Sequence, residues 1–165
     1  MTSSIRIAAF SFLALASAAV TARAQSPAAL QGAAREHAAT AADSNGIREA
    51  AMDYIQGWYE GNAERMQRAL HPELAKRIVR TDPKTGRSSL GTMGALTLIN
   101  STKMGGGSST PANHRRTDFR LLDIYEGAAV ARVDAGDWVD YLQLARWNGR
   151  WVIVNVLWEL RPQSP

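Results

Sequence analysis

Asp140 and Asn155 are the polar residues whose placement most invites chemistry. They interrupt two strand-like apolar runs, Trp138 to Trp147 and Arg150 to Leu160. Asn148-Gly149 joins those runs, and Asn-Gly between apolar segments is the strongest short-range hairpin signal. A two-residue turn there pairs Trp147 with Arg150, and therefore Leu144 with Ile153, Leu142 with Asn155, Asp140 with Leu157 and Trp138 with Glu159. Applied to Ala135-Gly136, the same geometry sets Val133 against Trp138, Ala131 against Asp140 and Ala129 against Leu142. One mostly apolar face then holds Ala129, Ala131, Val133, Trp138, Asp140, Leu142, Leu144, Trp151, Ile153, Asn155 and Leu157. On it Asp140 and Asn155 stand diagonally across adjacent strands, about 7–8 Å apart, within reach of one small ligand. Ala131 beside Asp140 leaves room for it.

A carboxylate on such a face, raised in pKa by burial, could move a proton on a carbonyl-bearing substrate while Tyr54 or His71 polarises the oxygen. The alternative is that Asp140 accepts hydrogen bonds from Tyr54 or an indole and fixes the core, because buried polar groups must be paired. Trp58 and Trp138 offer flat surfaces to a ligand as well as core bulk. The expected pocket is therefore Tyr54, Trp58, His71, Trp138, Asp140, Leu142, Trp151, Asn155 and Leu157. His71 precedes Pro72 at a helix end, where it can instead meet exposed carbonyls. His37 and His114 lie in polar segments, and three dispersed histidines in a chain without cysteine argue against a metal site. No motif asks for a cofactor.

The elements that must position these residues follow from periodicity. Ile47, Ala50, Ala51, Tyr54, Ile55 and Trp58 recur at helical spacing after Ser44-Asn45-Gly46, and Gly61 supplies the stop. A second, shorter helix runs from the cap Asn62 to His71-Pro72. Glu73 to Val79 fits a strand, Asp82 to Gly86 a turn, and Thr92 is placed to cap a third helix that ends at Gly105-Gly106-Gly107. Phe119 to Tyr125 and Ala128 to Asp134 complete a four-stranded meander with the two runs above. Helices followed by a meander give the α+β class, with the helices on one face of an antiparallel sheet.

Residues 1–24 read as a secretory signal: Arg6, an apolar run from Ile7 to Val20, and Ala22-Arg23-Ala24 as the exit, with cleavage expected before Gln25. That run is shorter than the ~20 apolar residues a spanning helix needs. The protein is then exported, periplasmic or secreted, with no membrane association after cleavage. Residues 25–45 are Ala-rich and lack large apolar side chains, which makes them a linker, and the domain occupies 46–161. Cleavage removes Arg6 and Arg23 and no acid, so the formal charge of +4 overstates the basicity of the mature chain. The arginines around Lys84 lack interleaved aromatics, which argues against nucleic acid.

Tyr54-Ile55-x-Gly57-Trp58-Tyr59-x-Gly61-Asn62, Leu70-His71-Pro72-Glu73-Leu74, Trp138-Val139-Asp140-Tyr141-Leu142 and Asn148-Gly149-Arg150-Trp151-x-Ile153-Val154-Asn155-x-x-Trp158 resemble the putative lumazine-binding branch of the nuclear transport factor 2-like superfamily. The resemblance spans Ile47 to Leu160 and implies a cone-shaped fold, in which a curved sheet wraps the N-terminal helices around an apolar cavity. Superfamily members include isomerase-like and dehydratase-like enzymes and many domains without known activity, and no complete catalytic set of theirs maps here. The expected function is an exported domain binding a small apolar ligand in that cone. The alternatives are a proton-transfer isomerase or dehydratase using Asp140, and a homodimeric interaction module. The dimer would use an outer sheet face of Val139, Tyr141, Val152, Val154, Val156 and Trp158, which is too apolar to leave in water.

Overall fold

The computed structural model describes residues 40–162. The expected signal, residues 1–24, and most of the expected linker lie outside the described residues. Helix α1 spans Ala41–Glu60, α2 Ala63–Ala69, and strand β1 Leu70–Thr81. They are followed by β2 (Ser88–Gly94), α3 (Ala95–Lys103), β3 (Asp118–Tyr125), β4 (Ala128–Asp134), β5 (Trp138–Trp147) and β6 (Arg150–Leu160). The six strands form one curved sheet in the order β2-β1-β6-β5-β4-β3. Every neighbouring pair is antiparallel except β1 and β6. The helices pack on the concave face, the cone-type α+β arrangement expected from the sequence.

The first helix begins at Ala41, earlier than the start expected at Ser44-Asn45-Gly46. A capping box explains the shift. Thr40 Oγ1 accepts from the Asp43 amide at 3.1 Å, and Asp43 Oδ2 accepts from the Thr40 amide at 3.3 Å, which satisfies two amides at the helix start. At the other end Gly61 adopts φ 66°, the left-handed conformation that closes a helix with least strain in glycine. Ile47, Ala50, Ala51, Tyr54 and Ile55 line the buried stripe.

The third helix begins after Gly94, and Thr92 is not its cap. Thr92 and Met93 instead belong to β2, opposite Arg77 and Lys76, because ladder hydrogen bonds to β1 claim their backbone groups before a helix can.

Both predicted hairpins form, with registers that depart from the ideal. At the tip of β5–β6, Asn148 and Gly149 have φ of 49° and 80°, as the favoured two-residue turn requires. Trp147 pairs with Arg150 and Leu144 with Ile153 as expected, but Gln143 then pairs with Asn155, leaving Val154 as a bulge. Beyond it every partner is displaced by one residue: Val156 faces Leu142, Trp158 faces Asp140, and Leu160 faces Trp138. The β4–β5 turn is longer than two residues. Ala135 N–H donates to the Trp138 carbonyl at 3.0 Å, and Val133 faces Asp140 while Ala131 faces Leu142.

Side chains alternate with a period of two, so the two-residue displacement in β4–β5 preserves faces, whereas the one-residue bulge in β6 exchanges them. Asp140 therefore stays inward. Asn155 and Leu157 turn outward, contrary to expectation, and Val156 and Trp158 leave the outer face for the inner one. Leu157 is 56% exposed and Val156 2%.

Candidate functional site

Three elements converge behind α1. Tyr54 comes from the helix, Asp140 from β5, and Lys76 from β1, where it faces Val156 of β6 and Met93 of β2. Lys76 Nζ donates to Asp140 Oδ1 at 2.5 Å and to the Tyr54 hydroxyl at 2.6 Å. The Trp138 indole N–H donates to Asp140 Oδ2 at 2.6 Å. Asp140 has no exposed surface, and both its oxygens are engaged. The ammonium also lies 4.7 Å from the Trp158 ring centroid, close enough for a cation–π attraction. Among the described residues no buried side-chain nitrogen or oxygen lacks a partner.

Electrostatics here are those of a buried ion pair. Burial pushes the Lys76 amine below its ordinary value, with the adjacent Asp140 carboxylate working against that shift. Burial pushes the Tyr54 hydroxyl well above its ordinary value, and the Asp140 charge adds to the effect, so Tyr54 is a neutral phenol.

Lys76 and Tyr54 reach a cavity of about 310 Å³. Its other walls are Ile55, Trp58, Met66, Met93, Leu98, Trp138, Trp158 and Leu160, with Asp137 as a further polar residue. Trp58 is held from behind by the glycine run. Gly107 N–H donates to the Trp58 carbonyl at 2.9 Å, and a Cβ on Gly107 would lie 2.5 Å from the Trp58 indole nitrogen, so that segment needs glycine to lie on the ring. A second cleft, of about 370 Å³, runs along the outer side of α1 beside the β5–β6 turn. Its charges are largely paired: Asp43 with Arg146 and Trp151, and Asp53 with Arg65 and Arg68. The apolar cavity, with a few convergent polar groups, is the better candidate for a small molecule.

Of the residues expected around a ligand, Tyr54, Trp58 and Trp138 line this cavity. Asp140 stands one layer behind it, screened by Lys76 and Trp138. Leu142 is wholly buried core. Trp151 packs on Gly46 and donates to Asp43 at 3.2 Å, which fixes α1 to the sheet at the second cleft. His71 is the second residue of β1 and caps no helix. Its Nδ1 accepts from the Glu73 amide at 3.1 Å, and its ring meets Trp147 edge-on at 4.6 Å. Asn155 and Leu157 border a depression on the outer sheet face with Tyr141 and Gln143. The diagonal pairing of Asp140 with Asn155 is thus undone by the Val154 bulge.

Lys76 is the residue that sequence reasoning missed. Its signal was present: Leu74, Lys76 and Ile78 alternate, and all three are buried, so a lysine occupies an inward position of a strand. Among the described residues no cluster of His, Asp and Glu is suited to a metal, and no helix is long and apolar enough to cross a membrane.

A family model described as "Putative lumazine-binding" matches residues 42–159. Solved structures share the fold at low identity. A nuclear transport factor 2-like protein of unknown function from Shewanella baltica is 18% identical at a TM-score of 0.57, covering 76% of this chain and 100% of that one. One from Silicibacter pomeroyi is 14% identical at 0.56, covering 75% and 100%. One from Methylobacillus flagellatus is 23% identical at 0.56, covering 75% and 96%. No curated protein matches the chain.

Proposed function

This chain belongs to the family described as "Putative lumazine-binding", within the nuclear transport factor 2-like superfamily, and on that premise we propose that it is an exported domain holding one small, flat, largely apolar molecule in the cavity beside Tyr54 and Lys76. The observation that carries this reading is the cavity itself. At about 310 Å³ it stands at the small end of ligand pockets, which run from about 300 to 1,000 Å³. Three indoles form flat walls, and the polar groups converge at Tyr54 and Lys76.

Charge decides what kind of molecule fits. Asp140 neutralises Lys76 at 2.5 Å, and Asp137 adds a carboxylate to the lining. With no net positive charge, the site favours an uncharged ligand with an acceptor oxygen over an anion. An ammonium has three N–H groups; Asp140 and Tyr54 take two, which leaves one for the ligand. Lumazine is flat enough to lie against the indoles but carries more polar atoms than Tyr54 and Lys76 can satisfy, which favours a less polar molecule. Binding is also favoured over proton transfer by Asp140, because both carboxylate oxygens already accept hydrogen bonds away from the cavity.

Export is supported by the apolar run from Ile7 to Val20 and the Ala22-Arg23-Ala24 exit. A homodimer is part of the same proposal, through an outer sheet face on which Tyr141 is 41% and Leu157 56% exposed.

Calorimetric titration with 2-acetylnaphthalene and with lumazine tests the binding reading. The ketone should saturate one site and bind more tightly than lumazine, and the cavity-filling variant Met93→Trp should lose that binding. No saturable heat with either compound, together with no retained molecule in native mass spectrometry, would overturn the proposal.

A further inference from the structure

The chain contains three lysines, at positions 76, 84 and 103, among 19 basic residues. Lys84 and Lys103 are exposed, whereas Lys76 is 8% exposed and lines the apolar cavity. An arginine would give a permanent cation with five donors if holding Asp140 were the whole task. Lysine differs in one respect that matters here: it can shed its proton and become a nucleophile, most readily when desolvated.

We propose that Lys76 is a carbonyl trap, whose amine condenses with the aldehyde or ketone carbon of a molecule in the cavity to form a Schiff base and release water. The inference rests on the binding reading above and names its ligand class. Asp140 Oδ1, 2.5 Å from Nζ, takes the ammonium proton and frees the lone pair. The amine nitrogen then bonds to the carbonyl carbon while the carbonyl oxygen takes the Tyr54 proton, and the new ammonium returns a proton to the phenolate, leaving a neutral carbinolamine. Tyr54, which lines the cavity, finally protonates the carbinol oxygen and takes the Asp140 proton in its place. The C–O bond breaks, water departs, and the nitrogen lone pair closes the C=N bond as an iminium.

The pair begins as ammonium and carboxylate and ends as iminium and carboxylate. The product therefore inherits a counter-ion already in place, held from its far side by the Trp138 indole at 2.6 Å. Burial lowers the affinity of Lys76 for its proton, which favours the first step at neutral pH.

The two surface lysines serve as internal controls. Full-length protein is incubated with 2-naphthaldehyde and sodium cyanoborohydride at neutral pH, digested, and mapped for the reduced naphthylmethyl adduct. Lys76 should be labelled at least about tenfold faster than Lys84 or Lys103, as expected for an amine activated by its site. Met93→Trp, which fills the cavity, should abolish that preference while leaving the labelling of Lys84 and Lys103 unchanged. Labelling of Lys76 no faster than at the surface overturns the proposal, as does a preference that survives Met93→Trp. A parallel titration with 2-methylnaphthalene, which lacks the carbonyl, separates the two readings. If it binds while Lys76 remains unlabelled, the cavity reading stands and the trap falls; if it does not bind either, both fall.

Discussion

Lys76 and Asp140 govern each other's contribution to stability. Removing two charges from water is expensive, and their attraction offsets that cost only while both are present. The sequence alone allows Asp140→Asn to leave stability unchanged or raise it, if the carboxylate is buried without a charged partner. Lys76 removes that possibility. Asp140→Asn leaves a buried ammonium without its counter-charge and should cost about 3–5 kcal/mol in urea unfolding, whereas the double variant Lys76→Met/Asp140→Leu should be neutral or stabilising. A single variant as stable as wild type would show that the pair is not formed. The pair also has a pH signature. The folded-state pKa of Lys76 lies below the ordinary value of 10.5, so between the two values the unfolded chain binds more protons than the folded one, and stability rises with pH across that window. Tyr54 acts in the opposite sense above its ordinary value of 10.0, because its folded pKa is raised and ionisation then favours the unfolded chain. The stability of wild type minus that of the double variant should therefore increase with pH through the alkaline range below 10.0. A flat difference curve would place Lys76 in water.

The strands show how far hairpin reasoning reaches at the level of elements. The bounds of β4, β5 and β6 agree with the apolar runs, because Gly-containing turns separate them and alternation holds within them. Turn chemistry also fixes the tip register at Trp147 and Arg150. What it does not encode is an interruption inside a strand. Val154 has the residue type of an ordinary strand position, and its bulge arises where β6 must bend to pair with β1 on one side and β5 on the other. The displacement in β4–β5 did no harm to the face assignment because it was even; the one in β6 was odd and moved Asn155 and Leu157 outward. Two substitutions distinguish the bulged ladder from an unbroken one. Val156→Ala should cost about 1–3 kcal/mol for a buried side chain, and Leu157→Lys, compared at a dilution at which both proteins are monomers, should stay within about 0.5 kcal/mol, as surface changes do. An unbroken ladder predicts the reverse order, and thermal or urea unfolding of the two variants decides between them.

Across the whole molecule, the family resemblance and the helices-then-meander order made the cone legible before its details, because both depend on periodicity and turn residues. Lys76 was not legible as a site residue, since its partners Tyr54 and Asp140 lie 22 and 64 residues away and only the parallel pairing of β1 with β6 brings them together. The outer sheet face was legible only in part. Bulging takes Val156 and Trp158 out of it and puts Leu157 and Asn155 in, beside Tyr141, Gln143 and Arg77. The proposed dimer contact is thereby less apolar than the sequence suggests, and its centre moves to Tyr141 and Leu157. A second copy would bury these side chains and extend over Val79, which is 46% exposed on the neighbouring β1. Leu157→Arg should then convert the dimer to a monomer in sedimentation at micromolar concentration, since a two-fold contact meets the new charge twice. The same variant should leave ketone binding intact, because residue 157 points away from the cavity. A wild type that sediments as a monomer would remove the dimer and leave the cavity reading untouched.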